Sequence, residues 1–370
     1  MEFNELDAGS YTVDVEATLR GALSGVGSAE VAVTEGETAS CSVLMNRVYT
    51  AAQAAERIAE RISDDNGENW NIIVAGPIDD DGLLEIAKNL KDVLTEGCIS
   101  LDLGRTTGLS SIGVTKFQNC TALSAIVLPE GIGSIDENAF DGCTSLASVT
   151  IPDTVNEIGQ FVFRNCSALK SIEIPNSVTT IAIGAFRDCT ALTSIEIPRG
   201  VITIGSDSFN GCTALESIEI PDSVTTIERA AFHGCSSLTD VYIPDSVTEI
   251  GNQTFTNCSN LKSIVLSAGI TSIAEQVFRE CTSLTSIEIP DGVSEIKSSA
   301  FMKCEVLESI TIPVSVTSIE TGAFVSCNKL ESVKYKGLSD DWSGIAIGSN
   351  NPFESGSGIK IICSDNTITL

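Results

Sequence analysis

Histidine is almost missing from this 370-residue chain, with His233 the only one. Basic residues are scarce as well: 21 Lys and Arg stand against 50 Asp and Glu, for a formal net charge of −29. That balance excludes nucleic acid as a natural partner, because neutralising phosphates takes clustered cations. It also argues against anionic membrane surfaces and favours cationic protein partners. No stretch reaches the roughly 18 uninterrupted apolar residues of a helical membrane span, so no membrane insertion is expected. Residues 1–14 have neither a basic head nor an apolar run, so no signal peptide is expected within this chain. Aromatic residues make up only 5%. Gly-x-Ser-x-Gly elbows, Gly-x-x-x-x-Gly-Lys phosphate loops and C-x₂-C metal pairs are all missing.

What the chain does have is 13 cysteines, and ten of them obey a rule. Cys120, Cys143, Cys166, Cys189, Cys212, Cys235, Cys258, Cys281, Cys304 and Cys327 recur every 23 residues without insertion. Disulfide frameworks are not spaced this way, whereas structural repeats are. With a single histidine to accompany them, the column reads as small buried hydrophobes rather than metal ligands.

One unit runs Cys212-x-x-Leu215-x-Ser217-Ile218-x-Ile220-Pro221-x-x-Val224-x-x-Ile227-x-x-Ala230-Ala231-Phe232-x-x-Cys235. Ser217-Ile218-Glu219-Ile220 alternates out and in, which is a strand, and Pro221 ends it. The same phase predicts strands at Ser171–Ile174 and Ser194–Ile197, all pairing in one parallel sheet. Val224 to Ile227 is β-branched and extended, a second short strand or a turn. Ala-Phe-x-x-Cys predicts a compact helical or 3₁₀ turn. Gly211 and Asn165, each just before a cysteine, suit a left-handed corner. A single coil cannot bury its own Leu, Ile, Val and Phe; stacked coils bury them in columns.

This pattern resembles the leucine-rich repeats of the bacterial BspA-like surface-antigen family, also called the Treponema-type repeat. The residues that carry the likeness are Leu-x-Ser-Ile-x-Ile-Pro-x-x-Val-x-x-Ile and Ala-Phe-x-x-Cys, clean at 169–189 and 215–235. The likeness covers about residues 99–363. It implies a non-catalytic, cell-surface or secreted protein that binds or adheres to other proteins. Host extracellular matrix and other cell-surface proteins are the implied partners. Departures fall at Ser208 (for Ala), Ser267 (for Pro) and Phe161-Val162-Phe163. The expected fold is an α/β repeat solenoid, a right-handed leucine-rich-repeat solenoid of 23-residue repeats behind a small β-strand region and a helical N-terminal cap. No cofactor is expected, and the chain is expected to be a monomer.

The ends divide as follows. Residues 1–48 hold three alternating segments, Tyr11–Ala17, Ala29–Val33 and Ala39–Leu44, with Glu35-Gly36-Glu37 as a hairpin turn. They read as a partial β-sandwich of the immunoglobulin or carboxypeptidase-regulatory kind. Residues 49–103 predict a helix-strand-helix-strand cap. Ala51, Ala54, Ala55, Ile58 and Ile62 mark its first helix, and Leu83, Ile86, Ala87, Leu90, Val93 and Leu94 its second. Repeats fill 104–335. Residues 336–370 form a C-terminal cap, in which Trp342, Ile345, Ile347 and Phe353 cover the last coil and Ile359–Ile362 adds a strand.

Among candidate sites, Asp79-Asp80-Asp81-Gly82 lacks the rest of a calcium loop and reads as a helix N-cap. Asn-x-Ser/Thr sequons stand at Asn119, Asn165, Asn252 and Asn257, of consequence only in a secreting eukaryote. The outward strand column is the strongest candidate: Val127, Thr150, Glu173, Glu196, Glu219, Tyr242, Val265, Glu288, Thr311, Lys334. Like charges on adjacent rungs about 4.8 Å apart repel by roughly 1–3 kcal/mol per pair. Glu173, Glu196, Glu219, Tyr242 and Glu288 are therefore the expected ligand-binding residues of the concave face. Three readings of the column stay open: a solvated surface on a passive spacer or scaffold module, an acidic binding stripe, and a carboxylate pair at the spacing of a retaining glycosidase.

Overall fold

The computed structural model describes residues 46–63, 70–93, 99–353 and 355–370, together with the backbone of strand segments 2–3, 9–19, 22–33 and 39–40. The chain forms two units, Met1–Leu109 with Thr121–Gly131, and Ser110–Cys120 with Ile132–Leu370.

In the first unit, Leu123–Val127, Ile99–Thr107, Trp70–Pro77 and Asn46–Tyr49 lie side by side as parallel strands. Parallel neighbours need crossovers, and the helices Ala51–Ser63 and Asp80–Asp92 supply them. The two helices pack on each other, tied by Asn89 Nδ2 donating to the Ala55 carbonyl at 2.8 Å. Ala54, Ala55 and Ile58 of one and Leu83, Ile86, Ala87 and Leu90 of the other are buried. Asp79 caps the second helix by accepting from Gly82 N–H at 2.8 Å, so the acidic run is a helix start. The backbone strands Gly9–Leu19 and Ala22–Val33 pair antiparallel and join the same sheet beside Asn46–Tyr49. The expected turn at Glu35-Gly36-Glu37 and most of Ala39–Leu44 lie outside the described residues, as does Leu94.

The second unit is a β-solenoid of 23-residue coils. Its most regular feature is the corner ahead of each cysteine. There, alternate amides bond within the coil and to the next one. His233 N–H reaches Ala230 O and Cys235 N–H reaches Phe232 O, while Ala230, Phe232 and Gly234 donate to Asn252, Thr254 and Thr256. The same three inter-coil bonds recur at every interface from Thr115–Asn119 to Ser299–Lys303. This alternation needs two left-handed residues per coil. One precedes the cysteine, as at Asn165 (φ 61°) and Gly211 (φ 77°). The other lies five residues before it, as at Asn138, Phe161, Asp207 and Ala230. The sequons at Asn119, Asn165 and Asn257 owe their asparagine to this corner, each with φ 61°, because Asn tolerates the left-handed region better than most residues. Phe161 is the bulkiest occupant. Its ring lies against Gly184 of the next coil, where a side chain would collide, and Arg164 covers it at 4.9 Å.

Behind the corner, ten phenylalanines from Phe117 to Phe324 stack with centroids 5.1–5.9 Å apart and planes within 2–21°. Parallel rings so far apart are offset, the favourable arrangement. All ten are fully buried, each contributing roughly 1.5–3 kcal/mol. Beside them the ten repeat cysteines are buried. From Cys143 onward each thiol donates to a phenylalanine carbonyl of the preceding coil at 2.9–3.3 Å. Burial pushes the thiols from Cys166 to Cys327 up, Cys258 and Cys327 to about 12, so these are poor nucleophiles.

Two parallel ladders run along the stack, the second with interruptions. The first carries two-residue strands such as Thr203–Ile204, Thr226–Ile227 and Glu249–Ile250 in strict register, which settles the Val224–Ile227 segment as a strand end. The second, on the expected strand face, is less regular than the sequence predicts. It pairs Asp240–Tyr242 with Ser263–Val265, and Ser286–Glu288 with Ser309–Ile312 and Ser332–Tyr335. Ser171–Ile174, Ser194–Ile197 and Ser217–Ile220 form no strands, and only the bridge Glu196↔Glu219 joins them. Three carboxylates on successive rungs repel, and like charges directly opposite destabilise a ladder. A second break separates Ser263–Val265 from Ser286–Glu288. It lies beside Ser267, which stands where other coils have proline and bonds Val247 O and Gly269 N–H through its hydroxyl.

The C-terminal segment ends both columns. Phe353 meets Phe324 edge-on at 66°, and Trp342 meets Phe353 at 88° and Tyr335 at 70°. Trp342, Ile345 and Phe353 are buried, as expected, and Ile347, 37% exposed as the last rung, extends the Ser318–Ile319 ladder in register with buried Ile319. Asn351 replaces the missing next coil. Its side-chain carbonyl accepts from Phe324 N–H at 3.0 Å, and its Nδ2 donates to Glu320 and Gly348 carbonyls. Lys360–Ile362 adds the expected closing strand, followed by antiparallel Thr367–Thr369.

Two outcomes follow from this packing. Thiol titration of the denatured chain should return the same count with and without reductant; a large reductant-dependent rise would show that the column is cross-linked. Deleting residues 336–370 uncovers Phe324 and the last ladder, so the truncated chain should aggregate and melt earlier. A monomeric truncation with an unchanged melting temperature would contradict the capping role.

Candidate functional site

The strand face places its side chains by alternation. Ile172, Ile195 and Ile218 point in and are buried, and Glu173, Glu196 and Glu219 point out and are exposed. Tyr242 and Val265 follow on the next two rungs as paired neighbours, 59% and 57% exposed. Exposed aromatic and branched side chains on adjoining rungs form an apolar step in an otherwise polar face.

Two adjoining grooves run along this column. One, of about 810 Å³, includes Thr150, Glu173, Glu196 and Glu219. The other, of about 830 Å³, includes Glu196, Arg199, Glu219, Asp222, Tyr242 and Val265. Four of the five expected residues are therefore brought together, with Glu196 and Glu219 shared by both grooves. Glu288 is not part of either. It is held by Lys336 at 2.9 Å, and the same ammonium reaches Asp291 at 2.8 Å. Hydrogen bonds to Asp291 and Glu288 raise the lysine above its ordinary value. Among the described residues, no ion pair involves Glu173, Glu196 or Glu219. The acidic stretch thus starts after Thr150 and stops at the apolar step, and the final acid is neutralised within the chain.

Sequence reasoning passed over three contributors. Val265 belongs to the column but carries no charge to draw attention. Arg199 and Asp222 lie beyond the prolines, at a coil position that the alternation rule does not reach. Other chemistry is sparse. Burial lowers His233 below its ordinary value although Asp207 pulls the other way, so at neutral pH it is an uncharged residue on the far corner. Among the described residues, no three His, Cys, Asp or Glu side chains converge in a way that could hold a metal ion. No helix among them is long and apolar enough to cross a membrane.

The coil geometry agrees with what the chain is similar to. Six copies of the BspA type leucine rich repeat region match residues 110–239 and 227–341, more than half of the chain. A leucine-rich repeat protein from Bacteroides ovatus is 26% identical with a TM-score of 0.57, over 80% of this chain and 79% of that one. A leucine rich cell surface protein from Faecalibacterium prausnitzii is 25% identical with a TM-score of 0.40, over 90% and 97%. A leucine-rich repeat protein from Eubacterium ventriosum is 19% identical with a TM-score of 0.44, over 92% and 94%. No curated protein matches the chain. With its 23-residue coils, its phenylalanine and cysteine columns and this repeat match, the chain belongs to the BspA-type leucine-rich repeat family.

Proposed function

We propose that this is a non-catalytic binding protein of the cell surface or extracellular space, which engages a protein ligand through the strand face of its solenoid. The observation that carries the reading is the run of Glu173, Glu196, Glu219 and Tyr242 along two adjoining grooves. Stacking like charges costs stability and here coincides with lost ladder pairing. Nothing in the coil requires it, since Thr150 and Thr311 occupy the same slot. A stability cost without structural return supports a functional use of the face. The excess of acids, 50 against 21 bases, favours a cationic patch on the partner. Extracellular-matrix and other cell-surface proteins are the partner class that fits the family resemblance.

The test compares the wild-type chain with E173Q/E196Q/E219Q on immobilised extracellular-matrix proteins by surface plasmon resonance. Wild type should bind one of them, and the variant should bind it about tenfold or more weakly, with a flatter salt dependence. The variant should also melt at higher temperature, since each relieved like-charge rung contributes about 0.2–1 kcal/mol. Unchanged binding together with raised stability would sink the proposal and leave the acidic column a tolerated surface on a spacer.

A further inference from the structure

Along the solenoid axis the strand face has an order as well as a charge. Three unpaired carboxylates, Glu173, Glu196 and Glu219, are followed by Tyr242 and Val265. The last two are neighbours of one parallel ladder and more than half exposed. The groove of about 830 Å³ joins the acidic and apolar parts into one surface. Beyond it, Lys336 neutralises Glu288 and closes the acidic stretch. A partner that fits must therefore present cations over three rungs and apolar side chains over the next two.

The spacing of the rungs selects the partner's backbone. Each coil contributes one residue to the column, and parallel pairing on this face, at Glu196↔Glu219 and at Tyr242↔Val265, sets the rungs about 4.8 Å apart. An α-helix advances about 5.4 Å per turn and shows about one side chain per turn along a line on its surface. Over all five coils it drifts from the column by only about half a rung. An extended chain repeats its face about every 6.6 Å and drifts by about one and a half rungs over the same distance.

We propose that the strand face takes a basic amphipathic helix of a partner protein, laid along the solenoid axis. Cations at i, i+4 and i+7 meet Glu173, Glu196 and Glu219, and apolar residues at i+11 and i+14 cover Tyr242 and Val265. The inference rests on the strand face being the binding surface. The two parts of the contact act differently. Exposed carboxylates set orientation and association rate, and weaken with salt. Tyr242 is the aromatic anchor, and its burial depends little on salt.

The test uses fluorescence anisotropy with the full chain and a labelled synthetic peptide that carries Lys at i, i+4 and i+7 and Leu at i+11 and i+14 in an Ala/Gln background. Two controls keep the same number of Lys and Leu residues, one with a central Ala replaced by Pro to break the helix and one with the Lys and Leu positions scrambled. The intact helix should bind, and both controls should bind at least about tenfold more weakly. E173Q/E196Q/E219Q should lose affinity and most of its salt dependence. Tyr242→Ala should lose affinity and keep its salt dependence, with melting curves confirming that both variants fold. A proline-broken or scrambled peptide that binds as well as the helix overturns the proposal, and so does failure of all three peptides to bind. In that event, matrix-protein binding that is still lost in the triple variant leaves the binding face intact and removes only its helical partner. Matrix binding unaffected by the triple variant removes the face itself.

Discussion

Three amide hydrogen bonds pass from each coil to the next at the corner before the cysteine, and the rest of the solenoid is arranged around them. Their alternation with in-coil bonds forces two left-handed residues into each repeat. It brings a phenylalanine carbonyl to the position where the next coil's thiol can donate to it. It also sets the rise at which the rings stack, 5.1–5.9 Å. Cysteine suits the corner because it is small, apolar and still a weak donor. Each interface is complete with its two neighbours alone, so stability sums along the stack and the last coil needs Asn351 and Trp342 in place of a successor.

Because the corner carries the stacking, the strand face is free to vary. Its ladder is lost through Ser171–Ile220 except for one bridge, while the corner bonds of the same coils stay at 2.7–3.0 Å. Departures from the repeat are absorbed in the same way. Ser267 satisfies its hydroxyl locally, Thr254 bonds Gly251 and Glu228 carbonyls, and Ser208 is buried without a partner. A scaffold in which one edge provides cohesion can place three repelling glutamates and an exposed tyrosine on another, and that is the arrangement on which the binding proposal rests.

Much of this was legible in the sequence, for physical reasons. A 23-residue period with fixed Leu, Ile, Phe and Cys offsets admits few packings, so the coil and its buried phenylalanine and cysteine columns could be read directly. The left-handed corner at Asn165 and Gly211 showed through residue type. The second corner did not, because Phe161, Ala230 and Gln253 are not residues that signal a positive φ. Alternation correctly placed Glu173, Glu196, Glu219 and Tyr242 outward. It could not show that the ladder would be reduced to the single bridge Glu196↔Glu219 through Ser171–Ile220, because alternation marks which way a side chain points and not how well neighbouring strands pair. Nor could it show Lys336 reaching back two coils to Glu288, since side-chain reach between distant positions leaves no trace in a periodic pattern.

The division of labour between corner and face can be measured by amide hydrogen exchange on the wild-type chain. The account predicts strong protection for Phe186, Phe209 and Phe232 amides, which donate across coils. It predicts exchange about a hundredfold or more faster for the amides of 171–174, 194–197 and 217–220, where local pairing is missing. Those strand amides should also exchange faster than Ser309–Ile312, which sits in a complete ladder. Equal protection of the glutamate rungs and Ser309–Ile312, or a corner that exchanges before the strand face, would contradict it.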